Sequence, residues 1–165
     1  MRLTKHFKHF AKAEHGQSMV EMALMLVILL TIMSLVLDMG RAYFSYIAIH
    51  NAAGEGALYA AINPRCPHSS PSPSGYDCSD PNNVDYRVKE ESPSGLVDKT
   101  KINVTITYAD GTSAYSDANI HEGEPVTVTV TYGFTMLGPY SPIVPGGVLT
   151  FTAIGAQNIL DLKKN

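Results

Sequence analysis

The residues able to do chemistry are few and scattered. Cys66 and Cys78 both fall in a stretch rich in turn-forming residues, far from the N-terminus. Two thiols so placed in an exported segment read as one disulfide, the alternative being two free thiols. His68 is the one imidazole near them and no CxxC spacing occurs, so a metal centre is not expected. Of the six histidines, His6, His9 and His15 lie in the basic first stretch, and His50, His68 and His121 are spread over separate segments. Asp80, Asp85, Glu90 and Glu91 form an acidic cluster, read as a solvated surface because no Asp-x-Asp-x-Asp-Gly loop accompanies it. Asn103-Val104-Thr105 fits a glycosylation acceptor but is read as an ordinary strand asparagine. There is no P-loop, no G-x-S-x-G and no HExxH, so no enzyme and no cofactor are expected. One carboxylate stands out by its setting: Glu21, inside a long apolar run. A charge there is costly unless it finds a partner or sits at headgroup level, and both readings stay open.

That run is the element that positions everything else. Met19 to Leu37 is almost wholly apolar, and Met22 to Leu37 carries no charge. At about 1.5 Å per residue it is just long enough to cross a hydrocarbon core of about 30 Å. It is too long for a secretory h-region, and Asp38-Met39-Gly40-Arg41 is a poor cleavage site for signal peptidase, so a retained helix is expected. Residues 1–16 carry Arg2, Lys5, Lys8 and Lys12 against Glu14, a net of +3, whereas the whole chain is at −3. The positive flank should stay cytoplasmic while the acidic remainder crosses. Nothing downstream forms a basic patch, so nucleic acid is not an expected partner.

Beyond Leu37 the helix should continue to Ile62. No proline interrupts it, Asp38 and Arg41 are spaced to pair on one face, and Pro64 ends it. About 43 residues make a rod of roughly 60–65 Å. Gly54 and Gly56 weaken the helix but let another backbone approach closely.

The rest divides into a Pro/Ser-rich loop over 63–83 and a small, mainly β domain over 84–165. Val84 to Val97 is ambiguous, with Val84, Val88 and Leu96 able to face a core from a short helix. Lys101 to Tyr108 and Val126 to Tyr132 alternate apolar and threonine or asparagine residues, the period of half-buried strands, and the short gap between them makes the pair antiparallel. A third strand is expected from Val148 to Ala153, running on toward Ile159, with Phe134 to Gly147 as a surface loop. The fold class is therefore α+β: a long transmembrane, pilin-like helix over 17–62, then a small antiparallel sheet.

Several of these segments carry a recognisable combination. Gly16-Gln17-Ser18-Met19-Val20-Glu21 precedes the apolar run, Asp38-Met39-Gly40-Arg41 follows it, and Asn51-Ala52-Ala53-Gly54-Glu55-Gly56-Ala57 comes next. Together they resemble the TadE-like pseudopilins of tight-adherence pilus systems. The resemblance covers residues 15–61, and Val126 to Phe134 looks, less specifically, like the family's distal domain. It implies a basic leader (residues 1–16) removed by a prepilin peptidase between Gly16 and Gln17, so that Glu21 becomes the fifth mature residue. It also implies that Glu21, Asp38, Gly40 and Arg41 serve helix assembly with other pilin or pseudopilin subunits and pilus assembly proteins. The implied place is the inner membrane, with the N-terminus cytoplasmic and the C-terminal domain periplasmic or extracellular. Met22, where major pilins carry an aromatic, points to a minor component. A stand-alone anchored binding or adhesin module is the alternative.

Overall fold

A computed structural model of the chain describes residues 11–68, 77–93, 95–113, 121–138 and 144–160. The first helix, α1, runs unbroken from Ala11 to Ile62. Its 52 residues make a rod of about 78 Å, longer than expected because it begins ahead of Gly16, in the Ala-Lys-Ala-Glu stretch, where every residue is a good helix former. Residues 1–10 of the basic leader, with His6 and His9, lie outside the described residues. A short helix, α2 (Val84–Glu91), starts where the Asn83 side chain accepts the Tyr86 N–H at 3.0 Å. It buries Val84 and Val88. Leu96, expected to join them, is exposed, and its neighbour Val97 is buried instead.

Three strands follow: β1 (Ile102–Thr107), β2 (Pro125–Thr135) and β3 (Val148–Asn158). They form an antiparallel meander in the order β1-β2-β3. The register pairs Ile106 with Val128 on one side of β2 and Val128 with Gly155 on the other. Strand β2 runs three residues further than its alternation alone suggested. Phe134 and Thr135, expected to open the loop, pair with Leu149 and Val148 and prolong the ladder. The turn between β2 and β3 begins only after Thr135.

Val126, Val128, Val130, Tyr132 and Phe134 all face the upper half of α1 and are buried there, while the alternate threonines face outward. Their partners on α1 are Ile49 and a run of small residues, Ala52, Ala53, Ala57, Ala60 and Ala61, all fully buried. The directions are fixed by individual contacts. Val128 lies against Gly56, and Phe134 lies under the guanidinium of Arg41 at 5.2 Å. Strand β2 therefore descends toward the apolar end of α1. Strand β3 climbs back: Phe151 meets Tyr46 edge-on at 6.2 Å, Gly155 meets Ala53, and the Leu160 N–H reaches the Ala61 carbonyl at 3.1 Å. Among the described residues, the end of β2 and the start of β3 are thus the edge of the head nearest the apolar stem.

Candidate functional site

Two surfaces emerge from this arrangement: a bare apolar stem and the junction where the head grips it. In the most apolar part of α1, no residue is buried against the rest of the chain. Gly16 and Gln17 lie in helical backbone and are exposed, as is Glu21 one turn later. A side chain added at Gly16 would meet nothing within 4 Å. A helix this long, apolar and uncovered fits a single-pass membrane anchor.

The junction begins at the first polar residue after the stem. Asp38 is only 3% exposed. Its Oδ2 accepts the Gly138 N–H at 2.8 Å and the Leu137 N–H at 3.2 Å, while Oδ1 accepts from Arg41 Nη1 at 3.0 Å. Burying a carboxylate is costly unless it is paired and hydrogen-bonded, and here both conditions are met. Arg41 supplies the countercharge and stacks over Phe134. The expected Asp38–Arg41 pair is present, and it does more than brace one helix face: it holds the end of β2 to the foot of the head. Gly40 is exposed on the same turn, and a Cβ there would meet nothing within 4 Å. This packing does not require a glycine at that position.

Higher up, the Asn51–Ala57 segment is a saddle. A Cβ on Gly155 would lie 2.2 Å from the Ala53 carbonyl oxygen, so β3 crosses α1 in backbone contact. A Cβ on Gly56 would lie 2.6 Å from Val88 Cγ2, so α2 is seated almost as closely. The close approach that the small residues permit is thus made by this chain's own head. Ser45, fully buried on α1 before the saddle, donates its hydroxyl to the Leu96 carbonyl at 3.3 Å.

The loop after α1 is stapled in several ways. Cys66 and Cys78 form the expected disulfide. The Tyr108 hydroxyl donates to the Pro64 carbonyl at 2.7 Å, and the Tyr59 hydroxyl to the Asn82 carbonyl. Burial raises the Tyr59 pKa, aided by the Asp80 charge and opposed by Arg87, whose guanidinium lies 5.5 Å from the ring centroid. His68 Nδ1 sits 2.6 Å from Asp85 Oδ2, and that hydrogen bond, stronger than the opposing burial, raises the His68 pKa. The acidic cluster is therefore partly engaged: Asp85 holds His68, and Glu90 lies 3.5 Å from Lys99. Asp77 and Asp98 are held below the usual carboxylate range by hydrogen bonds from Ser79 and Thr100.

Among the described residues, no three His, Cys, Asp or Glu side chains come together as metal ligands. A concavity of about 520 Å³ beside α2 is an open groove lined by Glu55, Asn82, Tyr86, Arg87, Glu90 and Glu91.

Residues 16–58 match the family model described as TadE-like protein. No curated protein and no solved structure matches the chain. The match starts at Gly16 and ends two residues past Gly56, so it takes in the stem, the Asp38–Arg41 pair and the saddle. It suggests a membrane protein associated with a tight-adherence pilus system.

Proposed function

We propose that this chain is a minor pseudopilin or an assembly component of a tight-adherence pilus, acting through protein–protein contacts. The observation that carries the reading is the TadE-like match over a helix whose apolar half is left entirely bare. On this reading the helix sits in the inner membrane with its N-terminus cytoplasmic and its head on the periplasmic or outer side. A prepilin peptidase removes residues 1–16, and Gln17 becomes the first mature residue.

Removing the leader creates an α-amino group four residues before Glu21. In a packed group of stems, the Glu21 carboxylate of one chain and the new amino group of a neighbour can neutralise each other. The pairing sets register between chains more than it adds net stability. Glu21 and Gly40, both exposed on α1, are the positions assigned to contacts with other subunits. Asp38 and Arg41 contribute indirectly, by holding the head at a fixed angle to the stem. The competing function is a stand-alone anchored binding or adhesin module, which needs the stem but no leader removal.

Mass spectrometry of the membrane-extracted protein, co-expressed with a prepilin peptidase, separates the two. A mature chain starting at Gln17 supports the pilus reading. An intact Met1 under conditions where a control prepilin is processed removes it and leaves the simple anchor.

A further inference from the structure

Leu137 and Gly138, just past the end of β2, sit at the level where the apolar stem ends. Leu37 is the last residue of the apolar run, and the next one, Asp38, holds the backbone N–H groups of Leu137 and Gly138. The Leu137 amide is therefore fixed within hydrogen-bond reach of the stem's polar boundary. Its side chain is 77% exposed, although it is large and apolar. From Pro125 to Leu160 the chain contains no Asp, Glu, Lys, Arg or His, so no charge on this hairpin opposes contact with lipid. Tyr43 and Phe44, one to two turns above Leu37, are also exposed, as expected of an aromatic belt at a membrane interface. At the end of β2, two residues before Leu137, Thr135 Oγ1 accepts from Lys101 Nζ at 3.0 Å, which puts a cation close to the same end of the head.

We propose that Leu137, two residues past the end of β2, is a second membrane contact and enters the bilayer interface beside the stem. This rests on the reading that the stem spans the membrane. The occupant is lipid because the Asp38 clasp fixes Leu137 at the depth where the apolar run ends, and an apolar side chain there is buried about 5–10 Å into the headgroup and acyl boundary. The contact gives the head two attachments, one through the helix and one through Leu137. Two attachments fix the tilt and rotation of the head relative to the membrane plane.

The chain has no tryptophan, so a single introduced indole reports its own surroundings. The test uses the full chain in phosphatidylcholine–phosphatidylglycerol vesicles containing brominated lipid, with Leu137→Trp, Leu30→Trp and Asn158→Trp variants. Leu30 lies in the stem, and Asn158 is exposed at the far end of β3. The expected result is blue-shifted, bromine-quenched emission from Leu137→Trp and Leu30→Trp, with Asn158→Trp unquenched. Quenching of Leu30→Trp without quenching of Leu137→Trp overturns the second contact while the stem reading stands. If Leu137→Trp is blue-shifted yet unquenched, a protein surface such as a second copy covers it, and the lipid contact is overturned. Quenching of all three overturns it as well, because the whole head then meets lipid. No quenching of Leu30→Trp removes the spanning stem and the proposal together.

Discussion

Gly138 donates its backbone N–H to Asp38 Oδ2 over 2.8 Å, across 100 positions of sequence. With the parallel bond from Leu137 and the Arg41 countercharge, this one side chain ties the lowest turn of the head to the first turn above the stem. Arg41 adds its stacking over Phe134 at the same level, and higher up the sheet meets the helix through Phe151 on Tyr46 and Gly155 on Ala53.

Loss of the Asp38 carboxylate should therefore loosen the head from below. Asp38→Ala leaves the buried Gly138 N–H, the half-buried Leu137 N–H and one guanidinium without this acceptor. The expected cost is about 3 kcal/mol, since hydrogen bonds to a charged group contribute about 1.5–3 kcal/mol each. Asp38→Asn keeps one acceptor oxygen and should cost less. Chemical denaturation of the full chain in detergent measures both, and equal stability for Asp38→Ala and the parent would refute the clasp.

Two glycines should respond in opposite directions. Gly155→Ala drives a methyl group into the Ala53 carbonyl, and backbone cannot move aside as a side-chain tip can. A loss of about 3 kcal/mol or more is expected, at the upper end of overpacking costs. Gly40→Ala meets open space in an exposed helical position, so it should leave the head intact and raise helix stability by up to about 1 kcal/mol. Thermal unfolding gives the signs. If Gly40→Ala blocks assembly while raising stability, the assembly role assigned to Gly40 gains direct support.

The disulfide closes a loop with a sequence separation of 12, for which the chain-entropy relation gives about 3 kcal/mol. The Cys66→Ser/Cys78→Ser double variant should unfold at lower temperature by the corresponding amount. An unchanged midpoint would show that the loop is held by its Tyr59, Tyr108 and His68 contacts alone.

The His68–Asp85 bond makes stability depend on pH in a defined window. The folded-state pKa of His68 is raised above its ordinary 6.5 by the Asp85 hydrogen bond. Its contribution is fully present below the unfolded pKa and is lost as pH rises through the folded one. Both side chains are about one third exposed, so solvent screening keeps the contribution modest. Asp77 and Asp98 act in the opposite sense and at lower pH: their lowered pKa values favour the folded state above the ordinary carboxylate range, and that advantage is lost on acidification. The stability difference between the parent and Asp85→Asn should shrink from pH 6 upward. A difference that stays flat or grows across that range would contradict the assignment.

What the sequence made legible was periodic or covalent. The strands announce themselves over Lys101 to Tyr108 and Val126 to Tyr132 by alternation of apolar with threonine or asparagine residues, the period of a half-buried sheet, and the stem by its unbroken apolar length. The disulfide followed from two cysteines among turn formers. Phe134 was hidden because the prolines and glycines after it resemble a loop, whereas its pairing with Leu149 depends on a strand that follows later in the chain. Asp38 was legible as the partner of Arg41, three residues away, but not as the acceptor for Leu137 and Gly138. No local pattern announces a contact across that distance. Gly155 is similar: a glycine in a strand signals close approach, but only the three-dimensional crossing shows that Ala53 is what it approaches. His68 and Asp85 looked like unrelated surface residues until the disulfide-closed loop and the start of α2 brought them together.

On the function proposed above, one apolar helix stays in lipid as a permanent stem and carries a head on the far side of the membrane. Alkaline carbonate extraction of membranes from cells expressing the full chain, with maleimide labelling of Cys66 and Cys78, tests it most directly. The protein should remain in the membrane pellet, with both cysteines unreactive until reduced. Recovery in the soluble fraction with both thiols reactive in intact cells would contradict it.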